Sequence, residues 1–195
     1  CIRLFSFYGT DGEQRWFEPV CRRLERMLAA ARGSGIGMCH ENEKGIFGDV
    51  PERCAALHRE LPDLGAVFDP ANFIQCGADV LSAWEQLSPY VRYGHIKDAD
   101  AAGHVVPAGE GVGHIADYLP HFFADGHRVL TLEPHLTRFI GLDKLETGTP
   151  NVGTTGAGAS HTSAHAFADG GAAFDYAVAA LRRILDRIGV GEARP

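Results

Sequence analysis

VRYGH (91–95) is a short apolar run that ends in a side chain able to hold a metal. The same design recurs in GIGMCHE (35–41), LGAVFD (64–69) and RVLTLE (128–133). The terminal residues Glu41, Asp69, His95 and Glu133 follow one another at intervals of 28, 26 and 38 residues. Such intervals suit βα units, which take roughly 31 residues each in a barrel of eight. Successive parallel strands need a crossover, usually helical, so equivalent strand ends all point the same way. The four side chains are therefore expected to converge on one mouth of a parallel sheet.

One imidazole and three carboxylates make a nitrogen and oxygen donor set suited to manganese, magnesium, cobalt or zinc. Three carboxylates brought together repel one another, and a divalent ion relieves that repulsion. Taken singly, each of the four reads as a polar strand end meeting water. In register they read as a metal site, with Glu41, Asp69, His95 and Glu133 as ligands. His40 precedes a ligand, so alternation turns it to the opposite face of its strand, toward core or helix.

The surroundings read as alternating strands and helices. Strands are expected near 2–8, 35–41, 64–69, 91–96 and 128–133. Residues 18–32 place Val20, Leu24, Met27, Leu28 and Ala31 on one helical stripe, ended by Gly33. Asp49 and Pro51 read as the cap and first-turn proline of a helix carrying Cys54, Leu57 and Leu61. Further stripes are Val80, Leu81, Trp84 and Leu87, closed by Pro89, and Ile115, Tyr118, Leu119 and Phe122, where Pro120 is a potential kink. Phe174, Val178, Leu181, Leu185 and Ile188 form the last. Between the final strand and this helix, residues 146–171 are rich in Gly, Thr, Ser and Ala without periodicity, so a long flexible loop is expected there, either a lid or an insertion. Its His161 and His165 have metal-compatible spacing, but solvated loop residues are the preferred reading.

Composition bounds the function. The chain of 195 residues is 45% hydrophobic and 22% charged, ordinary for a globular α/β protein. A formal net charge of -7 argues against a nucleic-acid partner, which normally demands a basic face. No apolar run reaches the roughly 20 residues of a membrane-spanning helix. Five cysteines with no CxxC spacing cannot all pair internally, so a reducing cytoplasm is expected. Cys39, inside a strand, reads as a buried apolar residue rather than a nucleophile.

Together HENEKGIFGD (40–49), VFDPANF (67–73), GHIKDAD (94–100), VPAGEG (106–111) and LTLEPHL (130–136) resemble the sugar phosphate isomerase/epimerase family of the xylose-isomerase-like TIM barrels. The resemblance runs from IRLFSFY near the start to the last helix. It implies one partial (β/α)8 barrel domain over 1–195, holding about five C-terminal βα units and lacking the N-terminal three. Such an open sheet would expose a strand edge and apolar surface, and it leaves self-association into a homo-oligomer open.

The resemblance also implies an activity: metal-dependent isomerisation or epimerisation of a sugar, sugar phosphate or related polyol ketone through an enediolate. In that family the two ligand glutamates exchange protons with substrate carbon, which points to Glu41 and Glu133 as the acid/base pair. Asn72, beyond Asp69, would hydrogen-bond a sugar hydroxyl or serve as a turn residue after Pro70. Lys97, two residues past His95, would point into the mouth and meet substrate, or pair with Asp98 or Glu110. Glu43 and Lys44 would contact substrate or each other. The family's arginine after the histidine ligand and its further glutamate are absent, with Ala101 and Phe47 near those places. A dehydratase of an inosose-like substrate, with Lys97 as acid, is therefore an alternative, and the absence of the first three strands, with the substrate walls they supply, makes a non-catalytic metal-binding partial barrel another. An abasic-site endonuclease of the same superfamily is disfavoured by charge and by the compact ligand set.

Overall fold

A computed structural model describes residues 1–127, 129–137 and 165–190. Residues 146–164, with His161, lie outside the described residues. Five parallel strands pair in sequence order: β1 (Ile2–Leu4), β2 (Met38–Glu41), β3 (Gly65–Phe68), β4 (Val91–Ile96) and, across the longer crossover, β7 (Leu130–Leu132). They make a curled partial barrel. A two-stranded antiparallel ribbon, β5 (Asp98–Ala99) and β6 (Val105–Val106), follows β4.

The crossovers are α1 (Phe17–Ala31), α2 (Pro51–Glu60), the pair α3 (Pro70–Gln75) and α4 (Val80–Leu87), and α5 (Ile115–Ala124); α6 (Gly170–Arg187) follows β7. Register fixes which face each strand residue takes. Arg3 pairs with Cys39, Glu41 with Val67, Val67 with Tyr93 and His95 with Thr131. With period-two alternation, these residues share one face, and His40 and Phe68 take the other, under the helices. There Phe68 packs against Phe73, Trp84 and Tyr118 with ring centroids 5.2–5.5 Å apart. Phe68→Ala would empty a fully buried site, so a loss of about 3–5 kcal/mol in unfolding free energy is expected from denaturant titration.

Several sequence expectations need correction. Residues after Asp69 form helix α3 rather than a loop, because Pro70 occupies its first turn and the Asp69 side chain accepts from the Asn72 N–H as its cap. Asp49 does not cap α2; it pairs with Arg53, while Val50 takes the cap position without a side-chain bond. Pro120 sits within α5, which runs unbroken to Ala124. On α6 the fully buried residues are Ala173, Ala177, Ala180 and Ile184; of the expected stripe Leu181, Leu185 and Ile188 pack partly buried against the core, and Phe174 is exposed. Small side chains let that helix approach closely, an effect invisible to a search for large apolar residues. Leu81 on α4 likewise faces outward.

Beneath the helices lies a pair of buried histidines. His40 Nε2 is 3.0 Å from Ser6 Oγ, which accepts from the Gly48 N–H, and its ring meets His58 edge-on. A Cβ at Gly48 would lie 2.5 Å from the His40 ring, so only glycine fits there. Burial, with the neighbouring His58, pushes His40 down to about 3. Burial pushes His58 down to about 4, although its bond to the Leu64 carbonyl opposes this. Both fall below the ordinary value near 6.5, so in that window the unfolded chain binds more protons. Their contribution to stability is complete above about pH 6.5 and is lost as pH falls toward 4, approaching roughly 1.4 kcal/mol per pH unit for each ring. Denaturant midpoints compared at about pH 7 and about pH 5 are expected to show the drop.

Candidate metal centre

Glu41 ends β2, Asp69 follows β3, His95 lies one residue short of the end of β4, and Glu133 follows β7, its N–H continuing the ladder to the Ile96 carbonyl. Parallel pairing brings these ends to one mouth, and one donor atom from each of the four lies within 4.8 Å of the others. His95 Nδ1 is 3.0 Å from Glu41 Oε1, 3.6 Å from Asp69 Oδ2 and 3.5 Å from Glu133 Oε2. Bonds of about 2.1 Å at right or tetrahedral angles would put neighbouring donors roughly 3.0 to 3.4 Å apart. The three separations from His95 Nδ1 lie at or slightly above that spacing.

A second observation concerns satisfaction. His95 Nδ1, Asp69 Oδ2 and Glu41 Oε2 are buried, and none has a hydrogen-bond partner of proper geometry among the described residues. Two of the three nevertheless have a cation beside them, Asp69 Oδ2 at 2.8 Å from Lys97 Nζ and Glu41 Oε2 at 2.8 Å from Arg3 Nη1. Four atoms, His95 Nδ1, Asp69 Oδ2, Glu41 Oε1 and Glu133 Oε2, gather at the mouth, and a nitrogen and oxygen donor set of this kind fits a divalent cation.

Charge in the mouth is balanced from two sides. Lys97 Nζ lies 2.8 Å from Asp69 Oδ2, both groups fully enclosed. Burial alone would lower the Lys97 pKa, but Asp69 and Glu43 outweigh it and raise the value. Burial would raise Asp69, and Lys97 with His95 outweighs that and holds its carboxyl low. His95 is pulled down by burial yet held up to about 9 by Asp69 and Glu41. Glu41 is pushed up by burial, against the pull of His95. From the other side Arg3 Nη1 lies 2.8 Å from Glu41 Oε2 and 3.1 Å from Glu133 Oε1.

Lys97 thus reaches the mouth and pairs with Asp69, not with Asp98 or Glu110. Asp98 accepts from the backbone N–H groups of Ala99, Gly109, Gly111 and Gly113, which ties the VPAGEG loop beneath β4. A Cβ at Gly111 would lie 2.2 Å from the Ala99 carbonyl oxygen, so the close approach requires glycine. Glu110 pairs with His165 and accepts from the Tyr176 hydroxyl. Glu43 pairs with Lys44, which also donates to Gln75. Asn72 is buried; its Nδ2 donates to the Asn42 carbonyl while Oδ1 has no hydrogen-bond partner among the described residues.

Two residues escaped the sequence reading. Asn42 exchanges hydrogen bonds with the Asp69 backbone in both directions and locks two ligand strands together. Arg3 belongs to the mouth because β1 lies beside β2. A cation within the apolar run IRLF was the one available signal.

Against known proteins, no family model and no curated protein matches this chain. Solved structures do. A xylose isomerase domain protein from Planctomyces limnophilus aligns with 97% of the chain and 61% of its own length at TM-score 0.64 and 20% identity. D-psicose 3-epimerase from Clostridium cellulolyticum H10, solved with D-tagatose, aligns with 89% and 56% at TM-score 0.61 and 11% identity. The probable 3-DHS dehydratase AsbF from Bacillus anthracis aligns with 67% and 56% at TM-score 0.57 and 17% identity. The chain therefore has the fold of the xylose-isomerase-like TIM barrels and spans about three fifths of the length of these neighbours.

Proposed function

We propose that this chain is a divalent-metal-dependent isomerase or epimerase acting on a sugar, sugar phosphate or related polyol ketone. Glu41, Asp69, His95 and Glu133 would hold a divalent ion, manganese, magnesium, cobalt or zinc. The observation that carries this reading is the convergence of four donor atoms, one from each of these residues, on one mouth of the sheet. When bound, the ion would polarise a ketone carbonyl and steady the negative charge of an enediolate.

The chain's own residues supply the rest. Glu41 and Glu133 approach the mouth from different strands, so one takes a proton from substrate carbon and the other serves the opposite face. Return of the proton to that face epimerises, and return to the neighbouring carbon isomerises. Lys97, kept charged by Asp69, presents its remaining N–H donors to substrate oxygen. Asn72 is assigned to substrate through its unpartnered Oδ1, a hydrogen-bond acceptor for a hydroxyl.

A second reading, a dehydratase, is favoured by that same lysine: an enclosed ammonium near the mouth can protonate a departing β-hydroxyl. Incubation of the manganese-loaded chain in deuterated water with ketoses and inososes separates these readings. Deuterium entering the carbon next to the carbonyl, with isomeric product, supports the first. Loss of water from an inosose supports the second, and absence of both exchange and water loss in every substrate contradicts both.

A further inference from the structure

The two glutamates share a geometry that their role as ligands does not require. Each turns one oxygen inward and one outward. Glu41 Oε1 and Glu133 Oε2 face His95 Nδ1 at 3.0 and 3.5 Å, whereas Glu41 Oε2 and Glu133 Oε1 face Arg3 Nη1 at 2.8 and 3.1 Å. A single guanidinium nitrogen thus takes the outer oxygen of both, and donates a hydrogen bond to the one on Glu133.

We propose that Arg3 is a positioning residue that holds both glutamates to one donor oxygen each. Carboxylates bind cations through one oxygen or two, and nothing in a glutamate side chain decides between them. An arginine is always charged and directional, so it can make that choice for a neighbouring carboxylate. The contacts Arg3 makes are with the outer oxygens, so it shapes the site from its rim. An ion that prefers six ligands keeps about two positions after four single protein donors, enough for two oxygens of a substrate. Were both glutamates to close over the ion with two oxygens, those positions would vanish.

This inference rests on the metal reading above, and the test separates the two. Mn²⁺ alone is added to the wild-type chain, Arg3→Met and Arg3→Lys, and water-proton relaxation reports the exchangeable waters on bound Mn²⁺. The wild type is expected to keep about two, and Arg3→Met at least about one fewer. Arg3→Lys should restore the wild-type number, because one ammonium at the Nη1 position meets both outer oxygens. Arg3 lies half-exposed on a strand only three residues long, so the variants change little of the core. Arg3→Gln, which keeps a donor but no charge, repeats the measurement on a second background. Equal water numbers in wild type, Arg3→Met and Arg3→Gln would overturn the proposal while leaving the metal site standing. A wild type that binds no Mn²⁺ would instead overturn the metal reading itself.

Discussion

Asp69→Asn is expected to lower the unfolding free energy of the metal-free protein by about 3–5 kcal/mol, the cost of stranding one member of a buried ion pair. The carboxylate does three things at once. Oδ1 caps α3 through the Asn72 N–H, Oδ2 pairs with Lys97, and Oδ2 also faces His95. An amide can serve the cap, but then its NH₂ opposes the Lys97 ammonium, donor against donor. Flipped, it opposes the Asn72 N–H instead. In the same variant Mn²⁺ affinity is expected to fall more than about 100-fold, beyond what losing an outer-sphere partner costs. Chemical denaturation and calorimetric titration read the two effects. A variant as stable as the parent would refute the buried-pair account, and one that binds Mn²⁺ as tightly would refute the ligand assignment.

Lys97→Met separates chemistry from metal loading. The substitution retains much of the side-chain volume and removes the ammonium 2.8 Å from Asp69. Metal-free, the variant is expected to lose about 3–5 kcal/mol of stability, since the Asp69 carboxylate stays buried without its partner. Saturating Mn²⁺ should return much of that loss, because an ion bound only by the folded state adds stability by mass action. Turnover behaves differently: kcat should fall about 10²- to 10⁴-fold with metal bound, the range for loss of a proton-transferring or charge-stabilising group. Unchanged kcat at full metal occupancy would remove Lys97 from the chemistry and leave it a structural partner of Asp69.

The cluster of Glu41, Asp69, His95 and Glu133 was legible because a strand-end residue needs only its own strand to be placed. GIGMCHE, LGAVFD, VRYGH and RVLTLE each announce a strand, and parallel pairing does the rest. Arg3 and Asn42 were not legible, since their importance depends on neighbours supplied by other strands. Arg3 matters because β1 lies against β2, and Asn42 because its side chain reaches the backbone of β3's end. Helix α3 was hidden by Pro70, which reads as a turn from sequence but stands at a helix start once Asp69 caps it. The stripe on α6 was read only in part, since Leu181, Leu185 and Ile188 do pack on the core while the fully buried contacts are mostly alanines. The ribbon β5–β6 is two residues long on each side, too short for a periodic signal. Its organiser, Asp98 gathering the N–H groups of three glycines, was visible only as spacing in DAD and VPAGEGVG.

The central claim is that one cation is shared by Glu41, Asp69, His95 and Glu133. Anomalous diffraction from crystals of the chain soaked in Mn²⁺ measures it directly. A single strong peak about 2.1 Å from Glu41 Oε1, Asp69 Oδ2, His95 Nδ1 and Glu133 Oε2 is the expected result. Bound manganese found only elsewhere, with His95 Nδ1 still addressing the carboxylates, would contradict it.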